Sequence, residues 1–169
     1  MKLNLSKFLS CNLNRSPQNH IFCNACVSFE YKKNYVDITY GNLMSISKNL
    51  ELDVADKHQH IVNSKQFLAP FEPIFNFGAV AMTLTALLDK SKAPKLIDFI
   101  SLDVEGAELE VLKGIDFSKY NFKFMLIEIR DLELIDKFLN MMGYNLVEKF
   151  SHHDYLFKFE SSNKKVIRS

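Results

Sequence analysis

Apolar positions repeat at helical spacing at the start of the chain, where Leu3, Leu5, Phe8, Leu9 and Leu13 predict an amphipathic helix ending before Pro17. The pattern then becomes extended. Residues 20–28 read as a strand, and residues 35–40 alternate Val36 and Ile38 against Asp37 and Thr39, closed by Gly41-Asn42. Between residues 45 and 77 the pattern dissolves into polar residues, Pro70, Pro73 and scattered aromatics. This stretch is expected to be a long loop with one short helix, either a substrate-facing lid or an ordinary variable insertion.

Order returns at Met82. Residues 83–89 read as a short helix with a threonine near its start, stopped before Pro94. Residues 96–102 are almost continuously apolar, which predicts a strand buried on both faces. A helix follows over residues 105–113, with Glu105 and Glu108 in its first turn and Gly114 as a left-handed cap. Residues 122–129 read as a second buried strand. Residues 131–142 form a helix burying Leu134, Ile135, Phe138 and Leu139. Strands over residues 144–150 and 155–159 are separated only by Ser151-His-His-Asp154, which predicts an antiparallel hairpin. The succession of strands and helices predicts a doubly wound α/β sheet, mostly parallel, with one antiparallel strand at its end. Residues 1–160 form the domain, and the polar, basic residues 161–169 form a frayed tail.

At 169 residues and a net charge of +1 the chain is long enough for one real core and carries no bulk attraction to nucleic acid. Cys11, Cys23 and Cys26 are an odd set, so a secreted disulfide framework is not expected. Cys23 and Cys26 fall three apart on a strand, on opposite faces, and read as buried structural thiols rather than a redox pair. The amino terminus is too short and too interrupted for a lipoprotein signal, and no stretch is long enough to span a membrane. A cytoplasmic setting is expected.

The chemistry concentrates where the strand over residues 96–102 ends. Asp103 follows it and Glu105 lies two residues on, at the carboxyl edge where open α/β sheets place ligands. If the strand continues, both carboxylates share one face. Glu128 ends the next strand at the same edge, either in a site or as a partner for Arg130. Of the adjacent His152 and His153 only one can face inward, and His153 is taken as the catalytic candidate, with both as surface turn residues the alternative. His58 and His60 share a face only if their loop is extended, and neither is assigned a role. No local spacing supports a metal site.

Several ordered motifs together resemble the FkbM family of S-adenosylmethionine-dependent methyltransferases. They are Asp98-Phe-Ile-Ser-Leu-Asp-Val-Glu-Gly-Ala-Glu-Leu-Glu-Val-Leu-Lys-Gly114, Met82-Thr-Leu-Thr-Ala-Leu-Leu88, Leu126-Ile-Glu128, Ser151-His-His-Asp-Tyr-Leu-Phe157 and Asn24-Ala-Cys-Val-Ser28. The resemblance runs from about Leu3 to Phe159. It implies the class I methyltransferase sheet, a Rossmann-like arrangement with a carboxyl-terminal antiparallel hairpin. It also implies methyl transfer to a hydroxyl of a sugar, glycan or small metabolite, with S-adenosylmethionine as donor. Asn24 and Ala25 are the positions where it suggests cofactor contacts, with Asp103 taken as a further one, while Asp103, Glu105, Glu128 and His153 remain the catalytic candidates read from their places in the strands and turn.

The family's glycine-rich loop and the acid ending its second strand have no counterpart here. The five glycines, Gly41, Gly78, Gly106, Gly114 and Gly143, are each isolated. Relative to the family, the first two strands are therefore expected to be missing from between the third and fourth. That would leave the third without a parallel partner and bare the edge of the fourth. Either the sheet closes up, a second chain supplies the strands, or the fold is marginal, and weak or absent cofactor binding by this chain alone is expected. The alternatives are a non-catalytic truncated remnant or interaction module, and a metal-dependent hydrolase built on Asp103, Glu105 and Glu128.

Overall fold

The computed structural model describes residues 19–48, 50 and 57–160. The helix expected near residues 3–13, Cys11 and the tail from residue 161 lie outside the described residues.

Two four-stranded sheets replace the single sheet expected from the sequence. The first contains β1 (Asn24–Cys26), β2 (Tyr35–Tyr40), β3 (Ile46–Ser47) and β4 (Phe75–Met82), in the order β1-β4-β2-β3. Helix α1 (Lys57–Ser64) lies between β3 and β4 in the chain. β4 has its first three residues within the stretch expected to be loop, and the sequence marks no strand over the rest. Its amino end alternates Phe75 and Phe77 with Asn76 and Gly78, but Ala79-Val-Ala81 has weak strand propensity and masks the period. This missed strand corrects another expectation, because β1 has a parallel partner after all: Asn24 aligns with Val80 and Cys26 with Met82.

The second sheet contains β5 (Leu96–Leu102), β6 (Asn121–Glu128), β7 (Tyr144–Lys149) and β8 (Asp154–Phe159), in the order β5-β6-β8-β7. β5 and β6 pair in parallel, while β8 is antiparallel to both β6 and β7. Three helices accompany it: α2 (Leu84–Lys90), α3 (Glu108–Leu112) and α4 (Leu132–Met141). Thr83 caps α2 by accepting from the Ala86 N–H, and Asp131 caps α4 by accepting from the Leu134 N–H. Leu112, Met125, Ile127, Leu139, Tyr144 and Phe157 are fully buried at the centre of the main core.

β5 is not buried on both faces. Leu96 and Phe99 are half exposed, and Phe99 pairs in register with the exposed Phe124. Among the described residues β5 pairs only with β6, so its other edge is open. Cys23 is exposed rather than buried, because the strand begins one residue after it. Burial of Cys26 pushes its thiol pKa up.

Gly114 is not the left-handed cap expected of it; among the glycines positive φ occurs at Gly106 (92°) and Gly143 (89°). Its role is close approach. A Cβ there would lie 2.2 Å from the Val27 carbonyl oxygen. The Gly114 carbonyl meanwhile accepts from the Thr85 N–H at 3.1 Å and its hydroxyl at 2.9 Å. The end of α3, the start of α2 and the exit of β1 therefore meet at one glycine.

Candidate active site

Parallel register builds the centre of the site. Leu102 aligns with Ile127, so the next residues, Asp103 and Glu128, stand side by side at the carboxyl ends of β5 and β6. Burial, then the Asp103 hydrogen bond and charge, push Glu128 up to about 7, with Glu105 adding to the effect and Arg130 opposing it. The antiparallel register continues the row, because Glu128 aligns with Asp154 on β8. Asp154 instead turns its carboxylate to the Ser151 hydroxyl within its own turn.

Glu105 is not the helix-start acid the sequence suggested. The strand stops at Leu102, and Glu105 and Gly106 take left-handed backbone conformations, φ 53° and 92°, in a tight turn before α3. The buried Glu108 carboxylate holds this turn by accepting from the Val104 N–H at 3.0 Å and the Gly106 N–H at 3.2 Å. Its burial raises its pKa against those hydrogen bonds. The turn carries the Glu105 carboxylate to Arg130 Nη2 at 3.1 Å. Arg130 in turn lies 3.8 Å from Glu128 Oε1. Asp103, Glu128, Arg130 and Glu105 thus form one continuous charged cluster.

His60, assigned no role from sequence, completes it. Its buried Nε2 lies 3.6 Å from Glu105 Oε2 and 3.2 Å from the Met44 carbonyl oxygen. Helix α1 reaches this position because a second small residue faces it: a Cβ at Gly41 would come within 2.6 Å of the Ser64 hydroxyl. The available signal was the spacing of His60 and Ser64, four apart on one helix face and both buried.

His153 is not brought to the carboxyl cluster. Its ring Nδ1 lies 3.3 Å from the Ile129 carbonyl, and its own carbonyl accepts from the Ile129 N–H at 2.7 Å. It ties the β8 turn to the end of β6. Asn24 and Ala25 are also otherwise engaged. The Asn24 amide donates to the Val80 carbonyl at 3.2 Å, and Ala25 packs against a small second core of Val27, Val36, Leu50 and Ala107. A cleft of about 910 Å³ lined by Phe29, Tyr31, Phe117 and Phe138 includes none of the residues assigned from sequence. Among the described residues, no group of three or more His, Cys, Asp or Glu side chains is arranged to hold a metal ion.

The model of the methyltransferase FkbM domain matches residues 5–158. The chain belongs to the FkbM methyltransferase family. No curated protein and no solved structure matches it. Within this FkbM domain the Asp103 turn and the carboxyl end of β6 bring Glu105, Arg130 and Glu128 together. No helix among the described residues is long and apolar enough to cross a membrane.

Proposed function

We propose that this chain, with residues 1–160 as one domain, supplies the acceptor side of an S-adenosylmethionine-dependent O-methyltransferase working in the cytoplasm. The acceptor is a hydroxyl of a sugar, glycan or small metabolite. The observation that carries the proposal is the side-by-side placement of Asp103 and Glu128 at the carboxyl ends of β5 and β6 in a chain of this family. A base assists a hydroxyl acceptor best when its pKa lies near working pH, an effect of about 10²–10⁴-fold. Glu128, raised to about 7, meets that condition. Asp103 supplies the hydrogen bond and charge that raise it. Glu105 and Arg130 set the charge beside it, and His60 holds Glu105 in place.

S-adenosylmethionine, when bound, provides the methyl group and the positive charge that makes it transferable. The assigned residues do not fit a cradle for it, since Asn24 is bonded to the β4 backbone and Ala25 lies in a core. The sequence also holds no G-x-G. The Rossmann-like class I sheet is thus proposed to be completed by a second chain that adds strands at the open β5 edge and brings the glycine-rich cofactor loop. Isothermal titration of the chain alone with S-adenosylmethionine is expected to give no saturable heat at micromolar concentrations. Micromolar affinity would contradict the division of labour between two chains.

A further inference from the structure

The turn that presents Glu105 is held against its own backbone preference. A left-handed φ at a residue with a side chain costs free energy, so the surrounding structure must impose it. Glu108 does this from inside the fold. A single oxygen, Oε1, accepts both N–H bonds, from Val104 and from Gly106, and the residue is buried. The Ala107 N–H closes the same turn by donating to the Val104 carbonyl at 3.3 Å.

The consequence falls on Arg130. Its Nη2 donates to Glu105 Oε2 at 3.1 Å but stays 3.8 Å from Glu128 Oε1, too far for a hydrogen bond. The guanidinium therefore lies between two carboxylates and is committed to one of them. Closing on Glu128 instead would make a charge-assisted pair and favour the ionised carboxylate, lowering its affinity for a proton. His60 Nε2 approaches the same Glu105 oxygen from the other side, at 3.6 Å. Glu105 is thus fixed at both ends, by the turn beneath it and by the groups around its carboxylate.

We propose that Glu105 and Glu108 are positioning residues for Glu128: Glu108 fixes the turn, and Glu105 holds Arg130 away from the base. Both roles rest on the reading of Glu128 as the base. Glu105 then takes no proton from the acceptor, and the buried Glu108 acts on the site through two intermediate side chains.

A carbon-detected NMR titration of Glu128 in the full chain tests this. Glu105→Gly accepts the left-handed backbone and removes only the side chain. The Glu128 midpoint, about 7 in the parent, should fall by about one pH unit or more as Arg130 closes on it. In an Arg130→Met background the same substitution should move it far less, because the cation that Glu105 restrains is gone. Glu108→Leu should reproduce the fall. Glu108→Gln, whose side-chain oxygen accepts the same two N–H bonds, should stay near the parent value. If Glu108→Leu does not fold, the Glu105 and Arg130 variants decide the matter alone. Equal shifts with and without Arg130 would show Glu105 acting by its own charge and would overturn the proposal. So would a Glu108→Leu variant that loses stability while Glu128 stays in place, the mark of a purely structural role. A parent midpoint near 7 that Glu105→Gly leaves unmoved overturns this proposal alone, whereas a parent midpoint near 4.5 removes the base as well.

Discussion

Gly114→Ala should cost about 3 kcal/mol or more, the largest loss expected of any single-methyl addition in the chain. Its Cβ would sit 2.2 Å from the Val27 carbonyl oxygen, a backbone atom, and 3.2 Å from the Val111 carbonyl oxygen. Neither can yield as the end of a flexible side chain would. Moving Val27 also strains the bond from its N–H to the Met82 carbonyl, and moving Gly114 breaks its bonds to Thr85. Domains of ordinary stability have only about 5–15 kcal/mol in total, so the variant should be largely unfolded or molten at 37 °C. Urea denaturation followed by circular dichroism measures this. A midpoint matching the parent chain would show that β1 and α3 do not approach through this glycine.

Glu128→Gln should remove most of the stability loss between pH 5 and pH 8 that is due to this site. Glu128 is raised to about 7 in the folded chain, above its ordinary value of 4.5. Between those values the folded state holds a proton the unfolded state has released, so stability falls as pH rises. This contribution is complete below pH 4.5 and gone above about pH 7. The shift corresponds to about 3 kcal/mol at most. Partial solvent access at Glu128, whose side chain is 26% exposed, reduces this to roughly 1–2 kcal/mol. Asp89, Glu72 and Asp116, whose pKa values are lowered by hydrogen bonds, act in the opposite sense and at more acid pH. Thermal melts at several pH values would show Glu128→Gln more stable than the parent at pH 8 and nearly equal at pH 4.5. Parallel curves across the range would remove the case for a raised Glu128.

What could be read from the sequence was local and periodic. β2 and β5 have the expected bounds, and α2 and α4 lie within a residue of them, because alternation or helical spacing in each agrees with its capping and turn residues. The Asp103–Glu128 pairing was partly legible too, since both residues end apolar runs. What escaped is what only tertiary contact decides. β4 carries glycine and alanine where strands favour branched residues, so its identity rests on pairing with β1 and β2. The left-handed turn at Glu105 depends on the buried Glu108 carboxylate, which sequence alone presents as another helix-start acid. His60 reaches Glu105 through the close contact of Gly41 with Ser64, residues 23 apart in the sequence. Gly114 looked like a helix stop, and its real constraint is a carbonyl from the other sheet.

That Asp103 helps to raise Glu128 beside it is the central claim, and a carbon-detected NMR titration of the glutamate side-chain carboxyls addresses it directly. Glu128, assigned by its loss in Glu128→Gln, should titrate near 7 in the parent chain. In Asp103→Asn its midpoint should fall toward the ordinary carboxyl range, because the like charge beside it is gone. A Glu128 midpoint near 4.5 in the parent chain, unmoved by Asp103→Asn, would contradict the account.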